Sequence, residues 1–361
     1  MTCTIQHYPD REAWLEGRKA GAEHCIGGSD VAPILGRSGF RGPWGVWASA
    51  QPGYVREPEP ESSDIRQRGH IVEPHLLRWW RDASGMKVQS GLMVAEHREL
   101  PWARYSPDGI VMGPYDNVEV GGEAKTYSWK DKARWGDPLP STAARPLPEA
   151  EHVDYVVQAR SLIRAAREGL LPEDYLYQLC WGLFVLDTSV FDIMAVRCSY
   201  QPAPWIISAG GRTTRDAWII EQSRPTCLRV VREGDPDDAA VRWVVEQVAE
   251  RRERFLVRGE EPDPDGSDEC IARMLSQSRP GERVGTDEEL GAAFAYEEAR
   301  QARLAAEKTE KAAKGRALSA FRGVDTLTSE SGHRRAWVTT AKNGRKTFNV
   351  RPPKNHQQAA K

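Results

Sequence analysis

The chain has 361 residues, 40% hydrophobic and 28% charged, with a net charge of −2. That length and balance fit one large or two modest soluble domains, each with a sizeable core. No stretch approaches the roughly 20 apolar residues a membrane-spanning helix needs. The N-terminus, MTCTIQHYPDREAW, lacks the basic, apolar and small-residue succession of a signal peptide, so a cytoplasmic protein is expected, with no membrane partner.

The six cysteines (Cys3, Cys25, Cys180, Cys198, Cys227, Cys270) are scattered, with no CxxC pair and no close Cys/His grouping. That argues against a structural zinc site or an iron–sulfur cluster and for unpaired thiols. Charge is unevenly spread. From Lys311 to Lys361 there are 12 Lys/Arg against 2 Asp/Glu, a net +10 that leaves −12 on the rest. Such a tail suits a phosphate backbone or a solvated end equally well.

In chain order, residues 10–20 predict a short helix capped by Asp10. CIGGSDVAPILG (25–36) predicts a glycine turn, a Ser or Asp N-cap and a short apolar helix. REPEPESSD (56–64) is a polar loop. A helix follows over 70–83, with Pro74 in its first turn. From 86 to 128 the pattern changes to short β-type runs separated by turn residues. Residues 129–150 are loop-like, and helices are predicted over 151–169 and 172–186.

Strands are expected at 190–200 and 217–221, then an amphipathic helix over 237–258 and a loop at 259–269. Thr286 with Glu289 forms a capping box for a long helix to about 320. Asn343-Gly344, between alternating runs at 337–350, signals a two-residue hairpin. The whole predicts an α+β protein. A nuclease-sized core (1–235) carries an inserted loop and helix at 129–170. A helical extension (236–285), a long charged helix (286–323) and a basic tail with a hairpin (324–361) follow.

The chemistry concentrates in YSPDGIVMGPYDNVEVGGEAKTYS (105–128). In an extended strand Glu123 and Lys125 share a face, and Ala124 points the other way. If the strand after SPDG pairs with the strand carrying Glu123, Asp108 arrives beside Glu123. Two close carboxylates repel unless a cation lies between them, and a hard divalent ion suits an all-oxygen set. Such an ion favours phosphate chemistry; the competing reading is a surface hairpin with charged rims.

Glu73 stands among apolar residues, either as a third acid of the site or as a first-turn residue favoured by the helix dipole. Gln178 stands among leucines on a helix, either structural or bonded to a phosphate or water. IGGSD (26–30) bares backbone N–H groups beside Ser29, and Arg18 follows Trp14 by one helical turn.

In order, WLEGR (14–18), IGGSD (26–30), Glu73-Pro74 after Gly69, SPDG (106–109), GEAK (122–125) and Tyr175 through Gln178 resemble the YqaJ-type viral recombinases. These are relatives of the phage lambda exonuclease within the PD-(D/E)xK nuclease superfamily. WGD (135–137) and FLVRGEEPDPDGSD (255–268) extend the likeness to about 270. The resemblance implies an α/β/α restriction-endonuclease-like core with a central mixed sheet flanked by helices. It further implies Mg²⁺-dependent (or Mn²⁺-dependent) 5′→3′ digestion of one strand at linear double-stranded DNA ends, leaving a 3′ single strand for a partner annealing protein.

By motif position, Asp108, Glu123 and the Ala124 carbonyl would hold metal and Lys125 would activate water. Glu73 would complete the acidic site, Gln178 would assist, and Arg18 and Ser29 would hold the DNA at its 5′-phosphate end. Position 182 is glycine where related helicase-associated nucleases often carry tyrosine, and Gly121-Gly122 predicts a bulge before Glu123. A homo-oligomer stays open. So do a structure-specific or repair endonuclease on the same core and a non-catalytic module that binds DNA ends or an annealing protein.

Overall fold

A computed structural model describes residues 3–19, 24–39, 41–52, 54, 64–128, 157–198, 225–277, 281, 284–321, 324–328, 335–340 and 346–351. It divides into two compact units, 1–278 and 279–361. The predicted strand at 217–221 lies outside the described residues, as does the Asn343-Gly344 turn.

The first unit runs β1 (Cys3–His7), α1 (Arg11–Lys19), α2 (Gly28–Ile34), α3 (Pro43–Ser49) and α4 (Asp64–Ser84). Strands β2 (Val88–Ser90), β3 (Met93–His97), β4 (Arg104–Tyr105), β5 (Gly109–Met112), β6 (Val118–Ser128) and β7 (Val157–Ser161) follow. Then come α5 (Leu162–Arg167), α6 (Glu173–Val185), β8 (Val190–Cys198), β9 (Thr226–Val231), α7 (Gly234–Arg252) and α8 (Asp268–Gln277).

The central sheet has the order β2-β5-β6-β8-β9-β7. The pairs β6–β8 and β7–β9 are parallel and the others antiparallel. A second sheet, β1-β3-β4, is antiparallel throughout. This is the expected α+β architecture, a mixed sheet flanked by helices.

Strand alternation builds a core on each face of the central sheet. Ile110, Phe191, Ile193, Ala195 and Val230 join α2, α6 and α7 in one apolar cluster. Their neighbours Val111, Val120, Met194 and Val196 join Val72, Leu76, Leu77 and Trp80 of α4 in the other. Each fully buried side chain of this size contributes about 1.5–3 kcal/mol.

The glycine pair in β6 is a packing device. A Cβ at Gly121 would lie 2.6 Å from the Phe191 ring, and one at Gly122 would lie 2.5 Å from Trp80 on the opposite face. Both glycines keep regular register, and the irregularity falls instead between Val111 and Met112, opposite Val120 and Val118. The bulge expected before Glu123 is therefore absent at that point. The glycines serve close approach of aromatic rings.

Four further expectations change. Helix α4 begins at Asp64, so Pro74 sits mid-helix instead of in a first turn. In α2 the N-cap is Gly27 with no side-chain cap bond, not Ser29 or Asp30. Within the predicted helix 151–169, residues 157–161 form β7, because pairing with β9 at the sheet edge outweighs helix propensity. No domain ends at 235: Val241, Val244 and Val248 of α7 and Phe255 and Leu256 beyond it belong to the main core.

Other expectations stand as read. Asp10 accepts the Ala13 N–H at 2.9 Å, which caps α1. In the second unit, α9 (Asp287–Ser319) opens with the Thr286/Glu289 capping box. It is followed by an antiparallel sheet of β10 (Thr326–Thr328), β11 (Arg335–Thr340) and β12 (Lys346–Arg351). Phe321 meets Phe348 edge-on at 5.7 Å.

Candidate active site

The β5–β6 hairpin sets the site. Gly109 pairs with Gly122, and the Asp108 N–H donates to the Gly122 carbonyl at 3.2 Å. Asp108 is thereby drawn to the edge of β6, and its carboxylate accepts the Ala124 N–H at 2.7 Å. Glu123 points into the α2/α6 side and is 7% exposed. Ala124 faces the other way, against the Trp80 cluster.

The Glu123 carboxylate is held from three directions. Its Oε1 accepts from Lys125 Nζ at 2.6 Å and from Gln178 Nε2 at 2.8 Å, and its Oε2 accepts from the Tyr105 hydroxyl at 2.7 Å. Lys125 Nζ also donates to Gln178 Oε1 at 3.4 Å and lies 4.8 Å from the centre of the Tyr175 ring.

These groups open onto a cleft of about 460 Å³ whose lining includes Asp108, Glu123, Lys125 and Gln178. Arg18 and Ser29 line the same cleft. Arg18 stacks on Trp14, with its guanidinium 4.6 Å from the ring centroid, and the Trp14 indole N–H donates to the Met93 carbonyl at 3.3 Å. The turn of chain after α7, Glu253–Val257, winds as a π-helix and brings Leu256 into the cleft wall. Six residues singled out by sequence thus meet in or beside one space, with Glu73 of α4 close enough to exchange charge effects with Glu123 and Lys125.

The electrostatics are lopsided. Burial, then the Glu123 and Glu73 charges, push the Asp108 carboxyl well above the usual carboxylate range; Lys125 and the Ala124 N–H only partly oppose this. Burial and Glu123 likewise raise Glu73. Burial works against the Lys125 ammonium, yet Glu123, Tyr175 and Asp108 outweigh it and hold the lysine above its ordinary pKa. Three acids therefore face Lys125, with Arg11 acting on Glu73 alone, a deficit of positive charge around Asp108 and Glu123 that a divalent cation would relieve.

The donor set fits such an ion: the carboxylates of Asp108, just before β5, and Glu123 on β6, with the neighbouring Ala124 carbonyl, all hard oxygens. Among the described residues, no three His, Cys, Asp or Glu side chains form a group that could hold a metal ion. Water and a substrate phosphate would supply the remaining ligands, as is usual for Mg²⁺.

Tyr105 is the participant that sequence reading did not single out. The signal was faint: a tyrosine directly before SPDG, ordinary as a core aromatic. The glycine at 182 has a matching explanation, since a Cβ there would meet Phe191 at 2.7 Å and Tyr105 at 3.1 Å.

With this geometry in place, relatives can be compared. Residues 13–189 match the family model of the YqaJ-like viral recombinase domain. That match, just under half of the chain, makes this segment similar to the family. A curated relative from Bacillus subtilis (strain 168), "Uncharacterized protein YqaJ", is 26% identical over 165 residues, 46% of this chain and 44% of the relative. The chain thus matches less than half the length of that protein.

Among solved structures, an alkaline exonuclease from Laribacter hongkongensis is 15% identical with a TM-score of 0.42, covering 74% of this chain and 99% of that one. A phage related exonuclease from Haemophilus somnus 129PT is 12% identical with a TM-score of 0.36, covering 70% and 96%. At such scores these likenesses carry no weight for function. The YqaJ-like segment contains Arg18, Ser29, Glu73, Asp108, Glu123, Lys125 and Gln178, and the Tyr105 hydrogen bond lies within it. Among the described residues no helix is long and apolar enough to cross a membrane.

Proposed function

We propose that this chain is a Mg²⁺-dependent exodeoxyribonuclease that digests one strand of linear duplex DNA, 5′→3′. Its product would be a 3′ single strand suited to recombination by strand annealing with a partner protein. The observation that carries the reading is the gathering of Asp108, Glu123 and Lys125 on a cleft that Arg18 and Ser29 also line, with Glu73 close by.

Asp108, Glu123 and the Ala124 carbonyl would hold the ion, with Glu73 adding negative charge nearby. When bound, Mg²⁺ or Mn²⁺ supplies Lewis-acid stabilisation of phosphate charge and makes water more acidic. Lys125, kept as an ammonium by Glu123, orients the attacking water or neutralises a phosphate oxygen; it does not itself take the proton. Gln178 fixes Lys125 and Glu123 relative to each other through one amide. Arg18, stiffened by its stack on Trp14, and Ser29 would receive the 5′-phosphate end.

The test compares 5′-phosphorylated and 5′-hydroxyl linear duplexes with a covalently closed circle, with and without Mg²⁺. Degradation of linear ends only, faster with the 5′-phosphate, is expected. Cutting of the closed circle would replace the reading with an endonuclease. No degradation with any divalent metal would remove it.

A further inference from the structure

Tyr105 ends β4 immediately before the turn that delivers Asp108, and it is 1% exposed. Its ring fits against two helices at points where there is no side chain. A Cβ at Gly28 of α2 would lie 2.6 Å from the ring, and one at Gly182 of α6 would lie 3.1 Å away. Phe191 meets the ring edge-on at 5.9 Å.

A buried tyrosine needs an acceptor for its hydroxyl, and a backbone carbonyl would satisfy that need in an ordinary core. Here the acceptor is the Oε2 of Glu123, at 2.7 Å, while the other oxygen is engaged by Lys125 and Gln178. The terminal torsion of a glutamate is broad and roughly two-fold, so a carboxylate bonded through one oxygen still swings. Bonds on both oxygens stop it. The same ring bears on Gly28, the residue before Ser29, so one side chain joins the helix start that carries Ser29 to the acid.

We infer that Tyr105 is a positioning residue that fixes the orientation of the Glu123 carboxylate for the divalent ion and for Lys125. This rests on the nuclease reading above. It assigns Tyr105 no contact with substrate: the phenol acts through Glu123.

The experiment uses the full chain with Tyr105→Phe, which keeps the ring and removes only the hydroxyl. Mn²⁺ binding is measured by calorimetry alongside kcat and KM on linear duplex. A cooperative melt like that of the parent, Mn²⁺ affinity lowered about tenfold, kcat lowered about tenfold and KM unchanged are expected, in line with loss of one orienting hydrogen bond. Parental Mn²⁺ affinity and kcat in Tyr105→Phe would overturn the inference.

Should Tyr105→Phe fail to fold, Gly28→Ala decides, because it keeps the phenol but displaces its ring, and with it the hydroxyl, from Glu123. Lowered Mn²⁺ affinity would support the inference, and unchanged affinity would end it. A parent chain that binds Mn²⁺ but degrades no DNA defeats the nuclease reading alone. The Mn²⁺ comparison between parent and Tyr105→Phe then still decides the positioning role. A parent chain that binds no Mn²⁺ removes both.

Discussion

Two buried carboxylates sit on neighbouring strands of the same sheet and are solved in opposite ways. Asp192 of β8, 0% exposed, pairs in register with Gly122 on one side and Arg229 on the other. Its oxygens accept from Arg229 Nε and Nη2, both at 2.8 Å, and from the Trp80 indole at 2.9 Å. One acid meets one guanidinium and one neutral donor, so charge and hydrogen bonding close together.

Glu123 too is hydrogen-bonded through both oxygens, yet it shares its lysine with Asp108 and Glu73, and those two acids are pushed upward by burial and then by the Glu123 charge. A balanced buried pair is scaffold. An unbalanced one is held in readiness for a charge that comes from outside.

Exchanging the roles experimentally breaks this comparison most sharply. Asp108→Ala or Lys125→Ala should cost at least about a thousandfold in nuclease rate, some 4 kcal/mol at the barrier. For Asp108→Ala the melting temperature should hold or rise, because like-charge repulsion and burial cost are relieved, whereas Lys125→Ala should lower it by leaving the buried Glu123 without its cation; rate assays and thermal melts on the same samples check both halves. Full activity in Asp108→Ala would end the site assignment.

Asp192→Ala should do the reverse. It removes the acceptor of Arg229 Nε and Nη2 and of the Trp80 N–H, for a loss of about 3 kcal/mol in denaturant unfolding, with activity per folded molecule retained. Adding Mn²⁺ should stabilise the parent by about 2.7 kcal/mol at a hundred times its dissociation constant. Asp108→Ala should show little of this gain, whereas a folded Asp192 variant should keep it. Last, Gly122→Ala should destabilise by about 1–3 kcal/mol by pressing a methyl into the Trp80 ring. Its effect on kcat should be small if the Asp192 side is scaffold.

Much of this was legible in the sequence, unevenly. Strand alternation and the SPDG turn are local rules, so the opposite facing of Glu123 and Ala124 followed from spacing, and the meeting of Asp108 with Glu123 followed once the two strands pair. The helix cap at Asp10 and the capping box at Thr286 are local too. Other features depend on partners distant in the chain. β7 reads as helix until β9 is available to pair with it, and β9 itself was passed over for a more apolar run nearby. Gly121 and Gly122 suggested a bulge because nothing in their neighbourhood reveals Phe191 and Trp80 approaching from opposite faces. Tyr105 was hidden for the same reason: its acceptor lies 18 residues away and its ring seats are on two other helices.

In the second unit, α9 runs 33 residues with none buried. At 1.5 Å per residue it is a rod about 50 Å long. It is sustained by its own caps and by pairs such as Arg300 with Glu297, not by a core. Its length is thus a property of residue count alone: removing seven residues would shorten it by about 10 Å and leave every packed contact of the first unit's core in place.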